Sequence, residues 1–144
     1  MCGRSWPESK LRMQKIERFE DIIAWQRARV LTKEIYASTK VGQFGRDYGL
    51  KDQIQRASVS TMANIAEGFE RGGDREFIQF LSNSKGSCGE VKSHLYVAVD
   101  QNYISAAGFD QLYAKADEVS RLVGGFMAYL QQSQVGGHKF KGRS

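Results

Sequence analysis

The stretch A-S-V-S-T-M-A-N-I-A-E-G-F-E-R at residues 57–71 decides the fold. It holds no Pro, and small residues recur at Ala57, Thr61, Asn64 and Gly68. Steps of four, three and four are neighbours on one side of an α-helix. A stripe of that kind lets a second helix come close. It also explains a glycine inside a helix, which otherwise costs about 1 kcal/mol against alanine. Asn64 and Glu67 stand among Val59, Met62, Ala63, Ile65, Ala66 and Phe69. Polar groups half-buried in such company must find hydrogen bonds or lie at a seam. The expectation for the pair is bonding across helices or a place at a subunit contact. The alternative, an acid with an orienting amide, has no further support in the sequence.

Outward from this stretch the pattern stays helical. Residues 48–71 read as one helix, with Asp47 as N-cap and Gly72-Gly73 as terminator. Upstream, Gly42 to Gly49 reads as a glycine-rich loop, preceded by a helix from 19 to about 40. That helix buries Ile22, Trp25, Ala28, Leu31 and Ile35, and carries a second apolar line at Ile23, Val30 and Ala37. Two stripes mean either deep burial or one face for the chain's own core and one for a partner subunit. Downstream, Asp74 is placed to cap a helix over 75–101, whose seam is Phe77, Leu81, Ser84, Cys88, Val91, Leu95 and Ala98. A turn at 102–104 follows, with Ser105 as the next N-cap. The last helix repeats the seam with Phe109, Leu112, Ala116, Val119, Val123, Phe126 and Leu130, and is expected to end at Gly136-Gly137. Four amphipathic helices joined by short loops predict an all-α fold, an antiparallel up-down four-helix bundle. The expected division is a flexible basic leader (1–18), the bundle (19–133) and a flexible basic tail (134–144).

The chain has 144 residues, enough for one domain with a real core. No apolar run reaches the roughly 18 residues of a membrane span. The start M-C-G-R-S-W-P has no apolar region of a signal peptide, and Met13 is an alternative start. Cys2 and Cys88 are too few for a disulfide framework, so the expected setting is reducing and cytoplasmic. The net charge of +5 is not spread evenly. Arg4, Lys10, Arg12, Lys15 and Arg18 face only Glu8 and Glu17 in the leader, and Lys139, Lys141 and Arg143 face no acid in the tail. Residues 19–133 hold 13 basic and 14 acidic side chains, so the body is close to neutral.

Motifs for chemistry are absent. Two histidines rule out paired Glu-x-x-His di-iron motifs, since Glu90 and His94 are four apart and unrepeated. His94 reads as a partly buried structural histidine and Cys88 as a small buried hydrophobe. There is no HExxH, CxxC pair or P-loop. The expectation is therefore no enzyme, no cofactor, no metal and no small-molecule substrate. Arg29, Lys33 and Lys40 share a face of the first helix, and Lys85 and Lys92 one of the third. They are a solvated face or a nucleic-acid contact. Lys139, Lys141 and Arg143 around Phe140 have the make-up of a short backbone-binding arm.

F-E-D-I-I-A-W-Q-R-A at 19–28, S-V-S-T-M-A-N-I-A-E-G at 58–68, E-F-I-Q-F-L-S at 76–82 and Y-I-S at 103–105 together resemble one family. It is that of the four-helix-bundle proteins found as reading frames inside 23S rRNA intervening sequences. The resemblance spans roughly 19–133. It implies an up-down four-helix bundle that commonly assembles as a barrel-like homopentamer, with Trp25, Asn64, Glu67 and Gly68 as architectural or assembly markers. Met62 departs from the Pro that often precedes the Ala-Asn pair. The same fold includes accessory variability proteins of diversity-generating retroelements. Those are strongly basic and associate with a reverse transcriptase and its RNA. No catalytic residue is carried over by the resemblance. Two functions are thereby expected: a non-enzymatic homo-oligomeric interaction protein, or a nucleic-acid-binding accessory whose partner is RNA or a reverse transcriptase.

Overall fold

A computed structural model describes the backbone of residues 16–143 and the side chains of 16–133. Most of the leader, with Met13, therefore lies outside the described residues, as do the side chains of Lys139, Lys141 and Arg143. Among the described residues there are five α-helices and no strand. They are α1 (Ile23–Ser38), α2 (Gly42–Arg46), α3 (Tyr48–Arg71), α4 (Asp74–Asp100) and α5 (Ala106–Arg143).

The start of the fold differs from the single helix expected from residue 19. A 3-10 turn, Phe19–Asp21, comes first, and Ile22 is extended at φ −79°, ψ 120°. The Asp21 carboxylate holds this turn by accepting the backbone N–H groups of Glu17 and Arg18 at 3.0 and 3.2 Å. Helix α1 ends at Ser38, so Lys40 stands in the following turn rather than on a shared face with Arg29 and Lys33. The expected Gly42–Gly49 loop is also corrected, because it contains α2. Gly42 enters it at φ +58°, a conformation that favours glycine. A side chain at Gly45 would sit 3.2 Å from the Lys40 backbone. Those two positions let the chain turn tightly enough to bury Phe44, whose ring stacks on Tyr103 at 5.5 Å.

Asp47 caps α3 as expected, accepting from the Leu50 N–H at 3.1 Å. Its other oxygen accepts the Tyr103 hydroxyl at 2.9 Å, tying the turn before α3 to the turn before α5. The Tyr103 hydroxyl is held above its usual pKa, first by this bond. Gly72, at φ +87°, ends α3 in the left-handed conformation. Asp74 does not cap α4. Gly73 takes that position, and Asp74 is the first helical residue, where its charge still suits the helix dipole. Ser105 caps α5 through the Gly108 N–H at 3.0 Å. Helix α5 runs through Gly124-Gly125, and through Gly136-Gly137 to Arg143, instead of ending at the second pair. No proline interrupts it, and each glycine pair costs the helix only about 2 kcal/mol.

Helix α1 packs on α3 and α5, and α4 packs on the same two helices. The core is built from Ala28, Leu31 and Ile35 of α1, Ile54, Ala57 and Ile65 of α3, Leu81, Cys88, Val91 and Leu95 of α4, and Ala116, Val119 and Val123 of α5; all but Ile54 and Ile65 lie on stripes read from the sequence. Burying one such leucine or isoleucine contributes about 1.5–3 kcal/mol. The hydroxyls among them are satisfied. Ser84 donates to the Thr61 carbonyl at 2.6 Å, Thr61 to that of Ala57 at 2.8 Å, and Thr32 to those of Ala28 and Ser58 at 2.8 and 3.0 Å. Each prevents a buried polar group from costing about 1–3 kcal/mol. No described helix is long and apolar enough to cross a membrane.

Candidate functional site

The four marker residues do not converge. Gly68 is buried where α3 meets α4, and a Cβ there would lie 2.7 Å from Phe80 Cβ and 2.8 Å from Phe77 Cδ1. It is a packing residue. Asn64 is half-buried but bonds within its own helix, donating to the Ser60 carbonyl and hydroxyl at 2.8 and 3.0 Å. The cross-helix bond expected of Asn64 belongs instead to Ser60, whose hydroxyl meets that of Ser87 at 2.9 Å. Glu67 is exposed and pairs with Arg71 one turn on, at 2.9 Å. Neither Asn64 nor Glu67 bonds to another helix among the described residues, because each finds its partner one turn away on α3. Trp25, expected on the core stripe, is half-buried. Its ring stands edge-on to Phe19 at 5.1 Å, with the Arg29 guanidinium 5.9 Å above it.

Trp25 belongs to a shallow groove between α1 and α3. Arg29, Val30, Lys33 and Met62 line the same groove. Val30 is 42% exposed, and Val59, on the outer side of α3 next to Met62, is 41% exposed. Ala37 and Ala63 are exposed as well. The second apolar line of α1, anticipated at Ile23, Val30 and Ala37, thus turns away from the core rather than into it. Ile23 alone of the three is half-buried.

The basic candidates separate by environment. Arg29, Lys33, Lys40 and Lys85 are exposed. Lys92 is engaged: its ammonium lies 2.8 Å from the Asp117 carboxylate and 5.3 Å from the Tyr113 ring centre. The hydrogen bond between the two charges holds Lys92 above its usual pKa and Asp117 below the usual carboxylate range. Asp117 also meets Arg121 at 3.2 Å. On the other side of α5, Arg27 and Glu118 stand at 3.5 Å, as do Glu34 and Lys115. These exposed pairs add little stability, about 0–1 kcal/mol each.

Beside Lys92 lies a cluster that the sequence reading did not single out. Tyr96 of α4 meets Phe109 and Tyr113 of α5, with ring centres 4.8 and 5.9 Å away, and those two are 5.4 Å apart. Phe109, expected on the core seam, is only half-buried. The available signal was Lys92 and Tyr96 one turn apart on α4, facing Phe109 and Tyr113 one turn apart on α5.

The two residues nearest to ordinary chemistry are placed conservatively. His94 is half-buried beside exposed Glu90 and Ser93. Cys88 is fully buried and its thiol contacts the Ala116 carbonyl at 3.0 Å. Burial pushes that thiol up to about 11. In the folded protein it holds its proton more tightly than in the unfolded chain. Stability linked to it is therefore present at neutral pH and falls as pH rises through the window ending near 11. We expect a thiol reagent at pH 8 to leave Cys88 unmodified in the native protein and to react with it after denaturation. Rapid native labelling of Cys88, located by peptide mapping, would contradict this placement.

The family model described as 23S rRNA-intervening sequence protein matches residues 20–125. Among solved structures, the chain is similar to a protein of unknown function from the S23 ribosomal protein family of Bacteroides thetaiotaomicron. That likeness has a TM-score of 0.68 at 18% identity, over 73% of this chain and 98% of the other. At that identity it speaks for the fold alone. No curated protein matches the chain. The matched span takes in all of α1 to α4 and the first part of α5, so the chain belongs to the 23S rRNA-intervening sequence protein family.

Proposed function

We propose that this protein is a non-enzymatic, cytoplasmic, self-assembling interaction module, formed by an antiparallel up-down four-helix bundle and assembling as a homopentamer. The observation that carries the assembly is the apolar outer face of α1 and α3. Val30 and Val59 are both more than two-fifths exposed, beside half-buried Trp25 and Met62. A grouped apolar surface of this kind is more readily explained by a covering partner than by solvent. In a ring of copies this face of one chain would meet a different surface of its neighbour, as head-to-tail contacts require. The antiparallel arrangement is supported by pairings that run in opposite directions. Thr61 meets Ser84 while Gly68 meets Phe77, and Lys92 meets Asp117 while Phe77 meets Phe126.

Light scattering on the purified chain tests the assembly. The expected mass is near five times 16.2 kDa at micromolar concentration. Val30→Asp with Val59→Asp should reduce it to that of a single chain while helicity is retained. A monomer in the unsubstituted protein would overturn the proposal.

A second reading, a nucleic-acid-binding accessory with RNA or a reverse transcriptase as partner, is favoured by one observation. Arg29, Lys33 and Lys85 are exposed on the helices themselves, where phosphate contact requires them. Lys92 contributes less under this reading, because Asp117 already occupies it.

A further inference from the structure

We infer that the α1–α3 face is covered by the α4–α5 face of the next copy: Tyr96, Phe109 and Tyr113 seat against Val30 and Val59, and Asp100 and Asp110 face Arg29 and Lys33. This rests on the self-assembly proposed above and names the surface that completes it. The two faces lie on opposite sides of the molecule. Helices α1 and α4 each pack on α3 and α5, so α1 stands diagonal to α4, and α3 diagonal to α5. The side made by α1 and α3 is therefore opposite the side made by α4 and α5. Two unlike faces set in this way make head-to-tail contacts, which close into a ring when the rotation between copies allows it.

Both faces offer apolar groups to a partner. Tyr96 is 52% exposed although it lies within 6 Å of the Phe109 and Tyr113 rings, and Val97, the next residue, is 43% exposed. The two neighbouring rings hold Tyr96 in place, so a partner meets a surface already ordered. Aromatic residues set in this way are the usual anchors of a protein interface.

Their charges are complementary. The groove between α1 and α3 is lined by Arg29 and Lys33 beside Trp25, Val30 and Met62, and by no acid among the described residues. On the opposite side, Lys92 and Arg121 are both taken by Asp117. Asp100 stands one turn beyond Tyr96 on α4 and Asp110 one turn before Tyr113 on α5, both exposed and in no ion pair among the described residues. The heights agree as well. The turns before α3 and α5, joined by the bond between Asp47 and Tyr103, mark one end of the bundle, where α1 and α4 also finish. Counted from that end along each helix, Lys33 and Val30 lie about 8 and 12 Å up α1, and Asp110 and Tyr113 about 6 and 11 Å up α5. Copies standing side by side with parallel axes therefore bring acid level with cation and ring level with valine. Lys85, about 22 Å from that end, lies beyond this contact. A symmetric meeting of two α1–α3 faces would instead set Arg29 and Lys33 against their own counterparts, which like-charge repulsion opposes.

The test uses light scattering on full chains with one face blocked. Tyr96→Asp is expected to be a single chain of normal helicity, as is Val30→Asp with Val59→Asp. Each variant keeps the face that the other has lost, so their equimolar mixture should form a pair of about twice 16.2 kDa and grow no further. A charge reversal confined to exposed residues provides a second measurement. Asp100→Lys with Asp110→Lys should raise the dissociation concentration of the assembly about tenfold or more, and adding Arg29→Glu with Lys33→Glu in the same chain should recover it. Tyr96→Asp at the mass of the unsubstituted protein, a mixture that stays monomeric, or charge reversal without effect would each overturn this pairing of faces and leave self-assembly through α1 and α3 standing. A monomeric unsubstituted protein would overturn the self-assembly itself, and this pairing with it.

Discussion

Gly68→Leu is expected to lower the melting temperature by roughly 6–12 °C, the effect of about 3 kcal/mol in a chain of this size. The reason is the crossing of α3 and α4. The first atom of any side chain at Gly68 would come within 2.7 Å of Phe80 Cβ. That atom is attached directly to the backbone, so no rotation of Phe80 can move it aside. The Phe77 ring, 2.8 Å away, is held edge-on against Phe69 and Phe126 at 6.1 and 5.3 Å. Gly72-Gly73 joins the two helices through so short a turn that they cannot slide apart. Even Gly68→Ala should destabilise, although alanine gains about 1 kcal/mol of helix propensity. Gly86→Ala is the matched control. Its Cβ would meet nothing within 4 Å, so the propensity gain should appear as a rise of about 2–4 °C. Thermal melts followed by circular dichroism decide both. If Gly68→Ala melts like Gly86→Ala, the two helices do not cross closely at Gly68.

Leu81→Ala is expected to cost about 2–5 kcal/mol. Leu81 is fully buried in the first third of α4, between Phe77 and Ser84, whose hydroxyl is held by the Thr61 carbonyl. Helices pinned by such bonds collapse poorly around a missing side chain, so much of the cavity stays open. Urea denaturation should show a lower midpoint with an unchanged slope, the sign of lost stability without a changed unfolded state. A loss below about 1 kcal/mol would mean that the seam repacks, and that α3 and α4 are less constrained than the Ser84 bond implies.

The order of helices and their seams were legible in the residues alone. Apolar side chains three and four apart have one stable arrangement in water, with the stripe turned inward. The seam of α4, from Phe77 to Ala98, is accordingly buried throughout. Asp47, Gly72 and Ser105 were legible for an equally local reason, since a cap or a left-handed turn depends on only a few neighbouring atoms. Gly68 was legible as a close contact, but its partners Phe77 and Phe80 were not, because sequence spacing does not say which helix lies opposite. Tertiary structure also decided α2, where burial of Phe44 against Tyr103 overrode three glycines that read as a loop. It decided that Asn64 and Glu67 bond within α3, and that Lys92 is taken by Asp117, 25 residues away. Above all it decided the aromatic cluster. Tyr96 and Phe109 sit on different helices and face each other only because α4 and α5 pack side by side. Local physics chooses helices, caps and inward faces, whereas which residues share an outward surface depends on which helices become neighbours.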